Sequence, residues 1–317
     1  MRQPALSSER LIENLARELD FHPTADFFTR NLKRRGTGSA RIAIAGLGLR
    51  LEGLAREDEI RIRSRYGVFV RDDESSAQDV RVTVVEAQVP AFLRPRSDPQ
   101  GAPELYRLEQ FSRGSRLFAY SYDFAGWYDT PSRQGQLALT ATGDEALHRS
   151  IENYLRSVTA HRVIAEGGFV LHGSGLVRNG RAHVFFGPSG SGKTTVTLLS
   201  EAEVVLSDDL VLIREGAHGF EACSVPFRGV YREPPQSDEA FPMAGLYRLI
   251  QHPADSLERL SPARGAAELL GSLPFVMEGG GGSRALEVVG RAVQSVPVYR
   301  LRFRKSPEFW ALLSEET

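Results

Sequence analysis

One stretch decides the fold expected for this chain: Val184-Phe185-Phe186-Gly187-Pro188-Ser189-Gly190-Ser191-Gly192-Lys193-Thr194-Thr195. An apolar run leads into a loop that matches the pattern G-x-x-x-x-G-K-[ST] at every position, and the residues after it can continue as a helix. Glycines let the backbone turn tightly and point successive N–H groups inward, while the following helix adds its positive N-terminal end. The stretch therefore predicts a phosphate-binding loop in a strand–loop–helix setting.

The residues of this loop have separate expected tasks. Lys193 can reach the β- and γ-phosphates of a nucleotide as a compact, mobile charge, and the Thr194 hydroxyl suits Mg²⁺, which prefers hard oxygen ligands. Lysine is conspicuous here, because only three of the 39 basic residues are lysines. A glycine- and serine-rich surface turn is the alternative interpretation. The predicted nucleotide-binding residues are Gly187, Pro188, Ser189, Gly190, Ser191, Gly192, Lys193, Thr194 and Thr195.

Two adjacent acids follow the next apolar run. Val204-Val205-Leu206-Ser207 ends in Asp208-Asp209, and an α/β sheet places such residues at its carboxyl edge, beside a phosphate-binding loop. One carboxylate can hold Mg²⁺, directly or through water, and the other can accept a proton from an attacking hydroxyl. The alternative is a solvated strand end with Asp208 as a turn former. Because the acids are expected to lie beside the phosphate-binding loop, we favour a functional role for them over a solvated strand end.

A histidine stands upstream of the loop, in Val170-Leu171-His172-Gly173-Ser174. His172 can contact a γ-phosphate or tune a neighbouring acid, although a histidine at the end of an apolar run is more often structural. The remaining histidines show no ligand spacing, and there is one cysteine, Cys223. The sequence therefore predicts no zinc site.

Composition limits the expected partners and compartment. The 317 residues are 41% hydrophobic, enough for a packed core, and the formal net charge of −1 gives no basic field for nucleic acid. A single cysteine cannot form an internal disulfide, which favours a reducing compartment. The N-terminus lacks the apolar region of a signal peptide, and no apolar run approaches the ~20 residues of a membrane span. We expect a cytoplasmic protein that binds neither nucleic acid nor a membrane.

The hydrophobic pattern predicts two domains with a boundary near residue 150. The first, residues 1–150, is expected to be a β-rich α+β domain; the second, residues 151–317, is expected to be an α/β nucleotide-binding domain. The N-terminal elements predicted are a helix over 7–20, strands Ile42–Leu51, Ile60–Val70, Val80–Glu86, Leu117–Asp123 and Gln136–Ala141, and a helix over 144–165. The C-terminal ones are strands Phe169–Leu171, His183–Phe186 and Glu203–Leu206, a hairpin of Leu210–Arg214 and Phe220–Val225 around a turn at 215–219, helix Pro262–Leu270, loop Glu278–Ser283, strand Val296–Phe303 and helix Pro307–Leu313.

Four features together resemble the C-terminal catalytic domain of HPr kinase/phosphorylase over roughly residues 165–310. They are His172-Gly173, the loop at 187–194, Asp208-Asp209 and Arg228-Gly229. The resemblance implies an α/β P-loop fold related to that of phosphoenolpyruvate carboxykinase, and ATP-dependent phosphorylation of a protein serine. It also implies Asp209 as general base, Asp208 and Thr194 near Mg²⁺, Lys193 on the phosphates, and His172 close to the acid.

The chain departs from that family in two places. Pro226-Phe227-Arg228-Gly229 stands where the family has Glu-x-Arg-Gly, and the family's later basic signature loop is missing. The chain looks closer to the broader group of HPr-kinase-like proteins, some of which phosphorylate precursor peptides in peptide natural-product gene clusters. Members of the HPr-kinase type are hexamers, so the resemblance leaves a homo-oligomer open. Recognition of the acceptor by the N-terminal domain is open too.

The predicted function is a kinase that transfers the γ-phosphoryl group of ATP or GTP to a hydroxyl of a protein or peptide, with serine favoured. A switch or motor NTPase is an alternative, although neither LSGGQ nor N-K-x-D occurs. A catalytically weak, nucleotide-dependent binding or regulatory protein is a second alternative, favoured by the acid missing at Pro226. A carboxykinase-like enzyme acting on a small acid is a third.

Overall fold

The protein is a mixed α/β chain with two large β-sheets. The computed structural model describes residues 32–72, 78–87, 92–93, 107–140, 144–202, 204–227, 229, 231, 238–275 and 282–314. The predicted helix over 7–20 and Arg228 lie outside these residues. In the described part, no helix is long and apolar enough to cross a membrane.

The chain divides into two compact units. The first contains the described residues within 1–41, 49–65 and 72–157, and the second those within 42–48, 66–71 and 158–317. The division near residue 157 falls inside one helix, as does the boundary that the sequence placed near residue 150. No sequence pattern indicated that two short N-terminal segments group with the second unit.

The elements between residues 33 and 165 are β1 (Lys33–Arg34), β2 (Gly38–Ile44), β3 (Leu47–Leu54), α1 (Arg56–Tyr66), β4 (Val70–Arg71), β5 (Val80–Glu86), β6 (Glu109–Arg113), β7 (Arg116–Tyr120), β8 (Phe124–Asp129), β9 (Gln134–Leu139) and α2 (Asp144–Ala165). In the first unit, β3, β5 and β9 are parallel neighbours, and β8, β7 and β6 extend the sheet by antiparallel pairing. Strand β1 pairs antiparallel with β5.

Two of the strands predicted in this region are wrong. Ile42–Leu51 is two strands, because the backbone turns at Ala45 and Gly46, whose φ values are 50° and 83°. Ile60–Val70 is mostly helix α1, which carries acidic residues in its first turn and arginines in its last. That charge order suits a helix dipole, and it outweighs the alternation of isoleucine with arginine that indicated a strand.

Other N-terminal predictions hold. Strand β5 and helix α2 have the bounds expected from the sequence, and β7 and β9 begin and end within three residues of their predicted positions. Boundaries shift because the ends of elements depend on pairing partners and turns, which hydrophobic periodicity does not encode.

The second unit contains β10 (Phe169–Arg178), β11 (Arg181–Phe186), α3 (Lys193–Leu199), β12 (Val204–Ser207), β13 (Leu210–Gly216), β14 (Gly219–Cys223), β15 (Ala240–Gln251), β16 (Ser256–Arg259), α4 (Pro262–Leu270), α5 (Gly282–Ser295), β17 (Val298–Phe303) and α6 (Phe309–Ser314). Its strand order is β11-β10-β13-β14-β15-β17-β16. Strands β11 and β15 also pair in parallel, which closes the first five of these strands into a ring.

The strand directions in this sheet bring the predicted site residues to one edge. Strands β11 and β12 each pair antiparallel with β10, so they run in the same direction with β10 between them. The loop that follows β11 and the acids that follow β12 therefore emerge at the same edge. In β10, Gly173 is opposite Phe186 and His172 is opposite Leu210, which places the histidine at that edge as well.

An apolar cluster beneath this edge seats helix α3. Its fully buried members include Leu176, Phe185, Val196, Phe303 and Phe309, and it contains aromatic rings from β11, β15, β17 and α6. Phe185 and Phe309 contact edge to face, with ring centroids 5.9 Å apart. Burial of these side chains fixes the position of the loop between β11 and α3, because both flanking elements are anchored in the same core.

The C-terminal predictions were partly right. The hairpin of β13 and β14 and helix α4 are confirmed, but the hairpin turn is confined to Ala217 and His218, because both strands extend into the predicted turn. The glycine-rich loop was predicted to reach Ser283, whereas Gly282 and Ser283 begin helix α5. Strands β15 and β16 and most of α5 were not predicted. The buried residues of α5 recur at helical spacing: Ala285, Val288, Val289, Ala292 and Val293.

Candidate functional site

Glycines set the shape of the loop between β11 and α3. Gly187, Gly190 and Gly192 have φ values of 155°, 78° and 107°. A Cβ at Gly192 would lie 2.6 Å from the Phe303 ring, and one at Gly187 would lie 2.8 Å from Arg248 Nη1. Gly192 therefore needs glycine for space as well as for backbone conformation, whereas a side chain at Gly187 would displace the Arg248 guanidinium.

Lys193 lies back along the inside of this loop. Its ammonium donates hydrogen bonds to the carbonyl oxygens of Gly187 at 2.9 Å and Pro188 at 3.1 Å. The residue is only 8% exposed. Burial lowers the pKa of Lys193, the Asp209 carboxylate opposes that change, and the charge of Arg248 adds to it. The ammonium is thus held at the beginning of the loop, beside an acid.

Further hydrogen bonds connect the loop and the start of α3 to the neighbouring strands β10 and β15. The hydroxyls of Ser174 and Thr197 are 2.6 Å apart, and the Thr197 hydroxyl also donates to the Lys193 carbonyl at 3.2 Å. On the open side, Gln251 Nε2 donates to the Gly190 carbonyl at 2.7 Å. The loop is therefore tied to β10, α3 and β15 at once.

Asp208 is buried and takes part in fixing the backbone. Its two carboxylate oxygens accept hydrogen bonds from the backbone N–H groups of Gly229 at 2.9 Å and Tyr231 at 2.8 Å. The residue is 5% exposed. A carboxylate oxygen has two lone pairs, so a hydrogen bond from a backbone N–H does not by itself prevent coordination of a metal, directly or through water.

Asp209 is the more accessible acid and faces the loop. Its side chain is 19% exposed, and His172 Nδ1 lies 3.3 Å from its Oδ1. The Asp209 carbonyl accepts hydrogen bonds from the Gly173 N–H and from His172 Nδ1, both at 3.0 Å. The Ser207 hydroxyl accepts from the Asp209 and Leu210 N–H groups, both at 3.2 Å, which fixes the turn that carries the acids.

These residues line a cleft of about 300 Å³, which we call the phosphate cleft. Its lining residues are His172, Ser189, Gly190, Gly192, Lys193, Thr194, Thr195, Asp208, Asp209, Gly229 and Gln251. The structure thus brings together most of the predicted site residues. Gly187 and Pro188 instead line a neighbouring cleft of about 470 Å³, which shares His172 and which we call the side cleft. Ser191 is buried within the loop.

Sequence reasoning missed three long polar side chains at the two clefts. Gln251 lines the phosphate cleft, whereas Arg248 and Glu268 line the side cleft. Arg248 and Gln251 lie on β15, and nothing in the sequence indicated that this strand pairs with β11. The available signal was the apolar run Met243–Ile250, in which Arg248 is the only charged residue.

The residues present suit Mg²⁺ better than a metal that needs a complete protein cage. In the described ranges, no group of three or more His, Cys, Asp and Glu side chains could hold a metal ion. Mg²⁺ is usually held by one or two carboxylates together with water and substrate phosphates. Thr194, Asp208 and Asp209 place such hard oxygens in the phosphate cleft.

Residues 140–315 match a family model described as SynChlorMet cassette protein ScmC. The chain belongs to the ScmC family. The match covers more than half of the chain and includes every residue that lines the two clefts. No curated protein matches the chain.

The predicted membership of an HPr-kinase-like family is wrong. The matching family is ScmC, and no HPr kinase family model matches. The resemblance depended on four short motifs, chiefly the phosphate-loop pattern and the paired acids. A shared site motif does not establish shared descent, because similar sites occur on different folds.

Proposed function

We propose that this ScmC-family chain is a Mg²⁺-dependent phosphotransferase that binds ATP or GTP with a P-loop at residues 187–194. It transfers the γ-phosphoryl group to a hydroxyl of a protein or peptide, with serine as the favoured acceptor. One observation carries the proposal: the Lys193 ammonium and the Asp209 carboxylate share a cleft with the loop, close enough for Asp209 to affect the pKa of Lys193.

Nucleotide binding is supported by the conformation of the loop. Positive φ values at Gly187, Gly190 and Gly192 give the tight turn that a phosphate cradle needs, and the buried Lys193 supplies a cation at its edge. The side chain lies near the first loop carbonyls, from which it can reach β- and γ-phosphates. Thr194 follows in the same cleft, and its hydroxyl suits a phosphate-bound Mg²⁺.

Phosphoryl transfer is supported by the accessible acid opposite the loop. The acceptor hydroxyl gives its proton to the Asp209 carboxylate as its oxygen forms a bond to the γ-phosphorus. The bond between that phosphorus and the β,γ-bridging oxygen breaks, and ADP or GDP leaves. When bound near Thr194 and Asp208, Mg²⁺ would neutralise charge on the phosphate oxygens. His172 holds the carboxylate in place, as a positioning residue.

A nucleotide-dependent binding or regulatory protein with weak catalysis is the second candidate. It is favoured by Asp208, whose two oxygens are already engaged by backbone N–H groups. An acid occupied in this way contributes less to metal binding than a free carboxylate does. Both candidate functions require nucleotide binding, but only the phosphotransferase transfers a phosphoryl group to an acceptor.

To distinguish the two functions, the protein is incubated with γ-³²P-ATP, Mg²⁺ and peptides encoded near this gene, and transfer of the ³²P label to a peptide is measured. Wild type should bind nucleotide and label a hydroxyl residue, whereas Asp209→Asn should bind equally well without transfer. Asp255→Asn is the matched control, because Asp255 pairs with Arg304 and lines neither cleft. Binding without any transfer or hydrolysis would favour the regulatory candidate, and no nucleotide binding would contradict both.

A further inference from the structure

Arg248 lies against the first residue of the P-loop. It is on β15 and pairs in register with Phe186, the last residue of β11 before the loop. Its Nη1 is 2.8 Å from the position that a Cβ on Gly187 would occupy. A side chain at Gly187 would therefore clash with the guanidinium in its present position.

Among the residues that the structure describes, the hydrogen bonds of Arg248 use only part of its donor capacity. Nε donates to Glu268 Oε2 at 3.0 Å, and Nη1 donates to the Leu249 carbonyl at 2.7 Å. A guanidinium has five N–H donors in one plane. Glu268 also accepts from Arg300 Nη2 at 3.4 Å, so this carboxylate does not depend on Arg248 alone for a cationic partner.

Two further observations indicate that an anionic oxygen belongs beside Arg248. Arg248 lines the side cleft together with Gly187 and Pro188, and this cleft shares His172 with the phosphate cleft. The Ser191 hydroxyl is also 2.8 Å from the Gly187 Cβ position, and Ser191 is 9% exposed. Within the described residues, that buried hydroxyl has no hydrogen-bond partner. A cation and an unpaired hydroxyl thus meet at the beginning of the loop.

We propose that Arg248 is a catalytic residue that contacts the γ-phosphoryl group during transfer, from the side cleft, which meets the phosphate cleft at His172. This inference rests on the proposed function. In phosphoryl transfer, negative charge is spread over the equatorial oxygens of the moving group, and a second cation stabilises it. A planar guanidinium can donate two parallel hydrogen bonds to such oxygens, which an ammonium cannot. The Glu268 carboxylate, which also accepts a hydrogen bond from Arg300, orients the Arg248 guanidinium.

The test compares a ground-state ligand with an analogue of the transferring phosphoryl group. The probes are ADP with Mg²⁺, and ADP with Mg²⁺ and aluminium fluoride, titrated calorimetrically into the full chain. Arg248→Gln should bind ADP within about twofold of wild type but bind the fluoride complex about a hundredfold more weakly. Arg248→Lys should fall between the two, because it keeps charge without the planar fork.

Control variants separate catalysis from structure. Arg300→Gln removes the other partner of Glu268 and should leave both affinities unchanged. Glu268→Gln should lower the preference for the fluoride complex only in part, because Arg248 loses a charged partner but retains its bond to the Leu249 carbonyl.

If Arg248→Gln loses affinity for both ligands equally, or loses affinity for neither, the proposed role of Arg248 is overturned. If Arg248→Gln is poorly folded, Arg248→Lys decides: wild-type affinity for the fluoride complex would contradict a bidentate contact. Failure of wild type to bind ADP at all would instead contradict the proposed function.

Discussion

His172 Nδ1 is 3.3 Å from Oδ1 of Asp209 and 3.0 Å from the carbonyl oxygen of the same residue. Both neighbours are hydrogen-bond acceptors, so Nδ1 carries the proton in this arrangement. The His172 backbone N–H is bonded to the Ser272 carbonyl at 3.0 Å, which fixes the histidine from the other side. The histidine therefore orients the acid that we propose as the base.

Replacing His172 should slow transfer without weakening nucleotide binding. His172→Ala removes the N–H that orients the Asp209 carboxylate, and we expect the turnover number to fall roughly tenfold or more. Nucleotide affinity, measured by calorimetry, should stay within about twofold, because the loop and Lys193 are unchanged. His172→Asn keeps a donor near the same position and should recover part of the rate. A matching loss of affinity would show that His172 contacts the nucleotide instead.

The two adjacent acids should respond differently to the same substitution. Asp208→Asn replaces one of two acceptor oxygens with an NH₂ group that faces a backbone N–H, so the free energy of unfolding should fall by about 2 kcal/mol. Asp209→Asn should cost less stability, because its side chain is more exposed. Urea denaturation of both variants measures the difference. Equal stability would show that the bonds to Gly229 and Tyr231 do not hold that segment.

Two loop glycines, Gly192 and Gly190, form a matched pair that tests how the loop packs against Phe303. Gly192→Ala adds a Cβ 2.6 Å from the Phe303 ring at a φ of 107°, so it should destabilise the fold and abolish nucleotide binding. Gly190→Ala meets nothing within 4 Å, and its cost is backbone strain at a φ of 78°, about 1 kcal/mol. Melting temperature and ADP affinity report both effects. Indistinguishable variants would contradict the packing of the loop against Phe303.

A buried histidine predicts acid sensitivity of the second unit. His183 is 5% exposed, and burial lowers its pKa from 6.5 to about 4. Between these values the unfolded chain binds a proton that the folded protein does not, so stability falls as pH falls through this window. The full loss is about 3 kcal/mol.

Replacement of that histidine tests the prediction. His183→Phe keeps a ring beside Tyr247 and Trp310 and should reduce the change in melting temperature between pH 6.5 and about pH 4. The variant also loses the contact between His183 Nδ1 and the Tyr247 hydroxyl, which affects all pH values alike. An unchanged pH profile would place the acid sensitivity in other groups.

The sequence predicted those features that depend on local pattern. Helix α4 begins at Pro262 and β5 alternates buried and exposed residues at its start, and both have their predicted bounds. The loop motif and Asp208-Asp209 indicated one shared edge of a sheet, because each follows an apolar strand. The structure places Lys193 and both acids along one cleft.

What was missed depends on contacts between distant parts of the chain. Arg248 reaches the loop only because β15 pairs in parallel with β11. Helix α1 was predicted as a strand. Part of what holds it is the ion pair of the buried Asp58 with Arg35, a contact between distant residues that no local pattern encodes. Helix α5 was not predicted because its first residue, Gly282, is the last of four successive glycines, which indicate a loop more strongly than the helical spacing of the apolar residues after them indicates a helix.

Calorimetric titration of Mg²⁺–ADP into wild type and Lys193→Ala tests the central claim most directly. We predict saturable binding by wild type and at least about tenfold weaker binding by the variant, since the variant lacks the cation of the loop. The variant should remain folded, because within the described part of the chain the wild-type ammonium donates hydrogen bonds to loop carbonyls alone. No binding by wild type at millimolar nucleotide, or equal binding by both proteins, would contradict a nucleotide site at residues 187–194.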